Sequence, residues 1–174
     1  LVNGLWNVKK IVEKGSSTAR NIILDAIKST TTIKVSQEYD LLYGSWAPLA
    51  GTDIYLNPNQ IAEFIGGVSE GLNAATNDAA MVFLHELMHT KIGGGLTDPE
   101  RNSFGEIGGA EDVLNIIRGE LGSDFAQRYS YAAQEVTSGI YIPFDDNSRY
   151  DLEQGNSPRR GSLYIQIYTK FKSR

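Results

Sequence analysis

The run His85-Glu86-Leu87-Met88-His89 constrains this chain more than any other stretch of its sequence. On a helix, residues four apart lie on nearly the same face, so His85 and His89 can direct their imidazoles at one point. Glu86 follows directly, one step round the helix. This spacing is typical of a catalytic zinc site, in which three protein groups bind the metal and a fourth position is left for water.

His85 and His89 are therefore predicted metal ligands for one Zn²⁺ per chain, and Glu86 is predicted to be the general base and acid. Zinc lowers the pKa of a bound water to about 7, so that a neighbouring carboxylate can take its proton as the water attacks a carbonyl. The same carboxylate then gives the proton to the leaving amine. The reaction that this pattern favours is hydrolysis of a peptide bond.

The surrounding residues predict a single buried helix over 76–92. Thr76 or Asn77 is suited to cap this helix, and Asp78 is suited to its first turn. Because burial of unpaired ionisable groups is costly, two histidines and a glutamate inside such a helix need a partner. A divalent metal satisfies all three, and the alternative is a pair of hydrogen-bonded core histidines. Apolar residues occur all round the helix, which indicates packing on nearly every side: Ala80, Met81, Val82, Phe83, Leu84, Leu87, Met88 and Ile92.

The third ligand is predicted to be Asp98, the first carboxylate after the motif. Glycines 93–95 end the helix and allow the chain to turn back, which can bring Asp98 beneath the metal. Asp98 also precedes Pro99 and Glu100, a pattern that is typical of a helix start. A cap and a ligand can be the same residue.

The main alternative ligand is Glu111, on a second helix predicted over 109–121. Glu111 lies on the flank of the apolar stripe of that helix, beside Arg118, so it is otherwise an exposed partner for this arginine. Glu106 is a further alternative ligand.

With these residues the chain resembles the zincin metallopeptidases and, more narrowly, the aspzincins. In the aspzincins the third ligand is an aspartate in a Gly-Thr-rich segment shortly after the second histidine, which matches residues 95–98 here (Gly-Leu-Thr-Asp). Phe104 and Gly105 stand where the family often has an aromatic residue and a glycine. The resemblance covers residues 85–105. Leu96 interrupts the Gly-Thr pair, and no tyrosine stands near Phe104 to supply the family's usual tyrosine.

The resemblance implies an α+β, zincin-like fold, with a small mixed sheet over the buried HExxH helix, and the activity of a zinc endopeptidase. It also implies an edge strand beside the active helix, to which an extended substrate adds as a further strand. The best candidate for that strand is 51–56. The layout further resembles bacterial effector and polymorphic-toxin metallopeptidases, and 113–122 is similar to a stretch found in toxin modules. A secreted chain, or one delivered into a target cell, is the corresponding expectation.

Composition fits one enzyme domain over residues 1–174, and we expect a monomer. The chain has no cysteine, which excludes thiolate ligands and disulfides. No apolar stretch is long enough for a membrane span. A pI of about 5.0 disfavours direct binding of nucleic acid.

Acidic residues are concentrated ahead of the motif. Lysine and arginine are absent between Lys34 and Lys91, so one rim of the cleft is expected to be acidic and to attract a basic protein substrate. A solvated acidic surface is the alternative. The acidic residues of this stretch are Glu38, Asp40, Asp53, Glu63, Glu70, Asp78 and Glu86.

The rest of the chain predicts mixed secondary structure. Helices are expected over 17–29, capped by Ser16 or Ser17, and over 59–65. Strands are expected at Ile33 to Val35, 51–56 and 162–171, with a surface loop over 138–161. Candidate donors to the carbonyl oxygen of a substrate are Arg101, Tyr129, Tyr131 and Tyr141.

A function of another class remains open, namely a zincin-like binding module that lacks peptidase activity and holds a structural zinc. The intact Glu86 favours the enzyme, since a structural site has no use for a base beside the metal.

Overall fold

The computed structural model describes residues 8–13, 15–39, 44–66, 72–100, 106–131, 134–136, 139–141 and 144–145. It shows a mixed helical and sheet architecture, in agreement with the expected α+β class. Its helices are α1 (8–13), α2 (Ser17–Lys28), α3 (Pro58–Gly66), α4 (Ala79–His89) and α5 (Gly108–Leu121). Short 3₁₀ helices cover Ala74–Asn77 and Ser123–Phe125.

Among the described residues, the strands form three separate pairs. β1 (Lys34–Gln37) runs parallel to β2 (Asp53–Leu56). The other two pairs are antiparallel and short, and they consist of β3 (Gln127–Arg128) with β6 (Phe144–Asp145) and of β4 (Gln134–Val136) with β5 (Gly139–Tyr141). Within the described ranges, no helix is long and apolar enough to cross a membrane.

Helix α4 forms the centre of the core. It contacts α5, β2, α3 and the 3₁₀ helix Ala74–Asn77. Its residues Ala80, Met81 and Leu84 are fully buried, as an apolar helix packed on nearly all sides requires. The residues that pack against it include Ile54 on β2 and Leu114 and Ile117 on α5.

The bounds of α4 differ from the predicted range 76–92. Asp78 is the N-cap and accepts hydrogen bonds from the backbone N–H groups of Ala80 (2.8 Å) and Met81 (3.2 Å). The expectations that Thr76 or Asn77 caps the helix and that Asp78 lies in its first turn were therefore wrong. An aspartate immediately before the helix satisfies two of its free N–H groups, so the helix begins after Asp78.

The other predicted helices are confirmed to within a residue. Range 17–29 is found as α2, range 59–65 as α3 and range 109–121 as α5. Ser16 rather than Ser17 caps α2, because its Oγ accepts a hydrogen bond of 3.0 Å from the backbone N–H of Ala19.

The predicted strand 51–56 is found as β2, but its second edge is not free. Trp46 pairs with Tyr55 through two backbone hydrogen bonds of 2.9 Å, on the side of β2 away from β1. The indole ring of Trp46 also stacks on the Tyr55 ring, with centroids 4.4 Å apart. A substrate therefore cannot add directly to β2 at this position, and the expectation that 51–56 is the open edge was wrong there.

The expected surface loop 138–161 was wrong in part. Residues 139–141 and 144–145 form strands, and Phe144 is fully buried. The predicted strand 162–171 lies outside the described residues.

Candidate metal centre

His85 and His89 lie on one face of α4, as their spacing predicts. Their Nε2 atoms are 3.2 Å apart, and the rings meet edge to face at 84°. Both side chains are largely buried, with 8% of each residue exposed. The two nitrogens are thus directed at one point.

A sharp return of the chain after α4 brings Asp98 to the same point. The backbone N–H of Gly95 donates to the carbonyl of Thr90, and that of Leu96 donates to the carbonyl of Met88, each at 2.9 Å. Gly94 and Gly95 have positive φ angles of 93° and 63°, which residues other than glycine rarely adopt. The glycine turn predicted from the sequence is therefore present and positions the aspartate.

Oδ2 of Asp98 lies 3.0 Å from Nε2 of His89 and 3.3 Å from Nε2 of His85. These separations match the edges of a zinc tetrahedron, since metal–ligand bonds of about 2.0–2.1 Å place neighbouring ligand atoms about 3.3 Å apart. Among the described residues, His85, His89 and Asp98 form the group that could hold a metal ion.

In each ring, Nδ1, which is the nitrogen away from Asp98, faces a hydrogen-bond acceptor. Nδ1 of His89 donates to the carbonyl of Leu96 at 2.7 Å, and Nδ1 of His85 faces Oε2 of Glu111 at 3.2 Å. With the proton on Nδ1 of each neutral ring, both Nε2 lone pairs converge on the carboxylate of Asp98. Three electron-rich atoms this close together require a cation, so the residues fit a divalent metal.

Glu111 does not lie at the point where the candidate ligand atoms converge. It contacts the opposite nitrogen of His85 from Asp98, and it is 1% exposed. The alternative interpretation, an exposed partner of Arg118, is wrong about exposure, because both residues of this ion pair are buried. Glu106, the further alternative, is exposed.

The pKa values of His85 and Asp98 are shifted in the directions that favour a positive charge next to the carboxylates. Burial alone lowers the pKa of His85, but its hydrogen bonds with Asp98 and Glu111 outweigh burial and raise the pKa to about 10. Burial raises the pKa of Asp98, yet hydrogen bonds with His85 and His89 hold it well below its usual value. In the absence of metal, a proton on His85 supplies the charge that the cluster needs.

Glu86 lies beside the three candidate ligands and is 5% exposed. Burial raises the pKa of its carboxyl above the usual value, although the two neighbouring histidines oppose the shift. The backbone N–H of Ala47 donates to it. A carboxylate with a raised pKa is suited to accept and return a proton near neutral pH.

An open cleft of about 310 Å³ leads to this group. Glu86, His89, Thr97, Asp98 and Tyr131 line it. A further wall is formed by the segment that pairs with β2, which contributes Ser45, Trp46, Ala47 and Leu49. The cleft therefore gives a substrate access to Glu86, His89 and Asp98 together.

Of the four candidate donors to a substrate carbonyl, the structure places Tyr131 in the cleft. Its ring lies 6.0 Å from that of His85, nearly parallel at 22°. Burial, and then the nearby charge of Asp98, raises the pKa of its hydroxyl, so Tyr131 keeps its proton. Tyr129 is buried outside the cleft lining. Arg101 and the side chain of Tyr141 lie outside the described residues.

Sequence reasoning did not identify Arg128, which contacts Glu111 from β3 at 3.4 Å. It also placed Arg118 beside Glu111 without predicting that both are buried. An arginine seven residues from a glutamate, on a helix with an apolar stripe, was the available signal for Arg118. The position of Arg128 carries no periodic signal, because it lies in a strand of two residues.

Comparisons of this chain with protein-family models, with curated proteins and with solved structures found no match.

Proposed function

We propose that this chain is a zinc-dependent endopeptidase of zincin type, resembling the aspzincins. The observation that carries the proposal is the convergence of Nε2 of His85, Nε2 of His89 and Oδ2 of Asp98 within 3.3 Å of one another, with Glu86 in the same cleft. Two histidines and one carboxylate are ligands that zinc takes in hydrolytic sites.

The residues divide the work. His85, His89 and Asp98 hold the metal, while Glu86 accepts a proton from the attacking water and returns it to the leaving amine. When bound, zinc acts as a Lewis acid that activates the water and polarises the substrate carbonyl. Glu86 is suited to its role because it lies beside the ligands without being one of the converging atoms.

Tyr131 is proposed to donate a hydrogen bond to the carbonyl oxygen of the substrate as negative charge develops there. It lines the cleft beside Asp98 and keeps its proton over the working pH range. A fixed donor at the developing charge stabilises the transition state more than the substrate. In this proposal Tyr131 supplies the hydroxyl that the usual aspzincin tyrosine would supply, since this chain has no tyrosine near Phe104.

The proposed substrate is an extended segment of a protein with basic residues. The indole Nε1 of Trp46 donates to the carboxylate of Glu38 at 3.0 Å, so one acidic group lies beside a residue that lines the cleft. Asp78 and Glu86 do not add to such a rim, because both are buried. Steering by charge would therefore come from Glu38.

The resemblance to the aspzincins and to bacterial effector and toxin metallopeptidases supports three further proposals. These are a zincin fold, a bacterial effector or toxin domain, and a chain that is secreted or delivered into a target cell. We propose that it acts as a monomer, without nucleic acid or membrane as a partner.

The test compares the wild-type protein with Glu86→Gln, both loaded with zinc. The substrates are an unfolded protein rich in lysine and arginine and an acidic one of similar length. We expect the wild type to cleave the basic protein and the variant to lose about 10²–10⁴-fold in turnover while keeping its zinc. Equal turnover by the wild type and by Glu86→Gln would contradict the role of Glu86. A zinc-loaded wild type that cleaves neither substrate would favour the binding module with a structural zinc.

A further inference from the structure

A buried group of charged residues lies behind His85, on the side away from Asp98. Oε2 of Glu111 is 3.2 Å from Nδ1 of His85. Nη1 of Arg118 is 2.5 Å from Oε1 of Glu111, and Nη1 of Arg128 is 3.4 Å from Oε2. Each oxygen of one carboxylate thus faces a different arginine.

The burial of this group is unusual for charged residues. Arg118 is 0% exposed, Glu111 1% and Arg128 6%. Removing each charge from water costs several kcal/mol, and one arginine would be enough to neutralise one glutamate. The second buried arginine therefore calls for an explanation beyond the pairing of charges.

Arg118 is fixed independently of Glu111. Its Nε donates to the carbonyl of Thr76 at 2.9 Å, and its Nη1 donates to Oδ1 of Asn115 at the same distance. Its guanidinium also lies over the ring of Phe144, 5.1 Å from the centroid. Arg118 is therefore a rigid anchor for Oε1 of Glu111.

Arg128 connects Glu111 to the cleft. Its guanidinium donates to the carbonyls of Ser130 and Tyr131, and it lies 5.3 Å from the centroid of the Tyr131 ring. The same side chain therefore contacts both the carboxylate behind His85 and the residue whose phenol lines the cleft.

We propose that Arg118 and Arg128 are positioning residues that fix Glu111 against Nδ1 of His85, and that Arg128 also fixes Tyr131 at the cleft. With both oxygens held by arginines, Glu111 stays an acceptor for the histidine and does not compete with Asp98 for the metal. The inference rests on the proposed function in that the metal held by His85 is zinc.

We therefore expect substitutions of Glu111, Arg118 or Arg128 to lower the metal affinity, although none of these residues is a candidate ligand. A carboxylate behind a histidine ligand sets the orientation of its ring and strengthens it as a ligand, and loss of such a partner typically lowers affinity about 10- to 100-fold. Lysine keeps the charge of arginine but lacks its planar fork, so it should replace either arginine only in part.

The test measures zinc affinity by competition with a chelator for the wild type and for Glu111→Gln, Arg118→Met and Arg128→Met. We expect each variant to lose about 10- to 100-fold in affinity, and Arg118→Lys and Arg128→Lys to recover part of the loss. The absorption spectrum of the Co²⁺ form should change in the same variants, since the ring of His85 is no longer held in one orientation.

Leu114→Ala is the matched control, because Leu114 is buried on the same helix and is not part of the charged group. It should lose about 2–5 kcal/mol of stability, as a buried leucine truncation does, and keep its zinc affinity while folded. Unchanged affinity and spectrum in folded Arg118→Met and Arg128→Met proteins would overturn the inference. So would an equal loss of affinity in Leu114→Ala.

A second measurement separates this inference from the proposed function. If the wild type binds no zinc, the proposed function fails, and NMR of ¹⁵N-labelled histidine in the metal-free protein still decides the inference. A slowly exchanging proton on Nδ1 of His85 that is present in the wild type and lost in Glu111→Gln and Arg118→Met supports it. The same signal in all three proteins overturns it.

Discussion

His89 donates a hydrogen bond of 2.7 Å from its Nδ1 to the backbone carbonyl of Leu96. This contact adds to the backbone hydrogen bonds that join the end of α4 to the returning chain, and it fixes the tautomer of the imidazole. The Nε2 lone pair is thereby directed at Asp98, two residues further along. The return of the chain thus positions both the third candidate ligand and the ring of the second.

The first prediction concerns the identity of that third ligand. The wild type should bind about one zinc by elemental analysis, and His89→Ala should bind none. Asp98→Ala should lose its zinc under mild chelation, since one of three protein bonds to the metal is removed. Glu111→Ala should need a stronger chelator, because this residue contacts only the far nitrogen of His85. The opposite order would assign the site to a glutamate-ligated zincin.

The sequence predicted those parts of the site that depend on local geometry. Helical spacing alone places His85 and His89 on one face, and the glycines after the helix predict the return that brings Asp98 to them. The role of Glu111 could not be predicted in this way. Which nitrogen of His85 it meets depends on how α5 packs against α4, and no periodicity in the sequence encodes that packing.

The cleft wall formed by residues 45–49 could not be predicted from the sequence either. The predicted strand 51–56 was correct as an element, but its free edge was not, because Trp46 pairs with Tyr55 from a segment without any strand pattern. Single bridges of this kind depend on tertiary contacts, so local propensity does not indicate them.

A second prediction tests Tyr131 as the donor to the substrate carbonyl. Tyr131→Phe removes one hydroxyl from the cleft, so kcat should fall by about 10²–10³ with little change in KM and none in zinc content. Tyr129→Phe is the control, since Tyr129 is buried away from the cleft lining. Equal kinetics for the two variants would mean that another group stabilises the oxygen.

A third prediction concerns the turn that carries the chain back to the metal. A Cβ atom on Gly93 would lie 2.0 Å from the carbonyl oxygen of Leu87 and 2.4 Å from Cα of Met88. Because both neighbours are backbone atoms of α4, they cannot move aside without disturbing the ligand helix. Gly93→Ala should therefore lose roughly 3 kcal/mol or more of stability and most of its zinc affinity.

Gly94→Ala is the comparison for this turn. Gly94 has a positive φ of 93°, but a Cβ there would meet no atom within 4 Å. Its cost should be limited to backbone strain, about 1–2 kcal/mol, with zinc retained. Urea unfolding and chelator competition on both variants check the prediction, and similar losses for both would show that strain rather than contact governs the turn.

The last prediction is a dependence of stability on pH that zinc removes. Without metal, burial lowers the pKa of His85, but hydrogen bonds with Asp98 and Glu111 outweigh it, so that the pKa rises from 6.5 to about 10 on folding. A raised pKa stabilises the folded state fully below the unfolded value and loses that contribution as pH rises. Stability should thus fall between pH 6.5 and 10. One proton limits the slope to about 1.4 kcal/mol per pH unit.

Zinc removes this fall because it binds the unprotonated ring, so its affinity rises over the same pH range. The stability difference between zinc-loaded and metal-free protein should therefore widen with pH. Urea unfolding in the presence of a chelator and with added zinc measures both curves, and metal-free His85→Ala should lack the fall that the wild type shows. If the stability of the metal-free wild type stays constant or increases from pH 6.5 to 9, His85 takes up no proton on folding. In that case His85, His89 and Asp98 do not interact as the distances between them indicate.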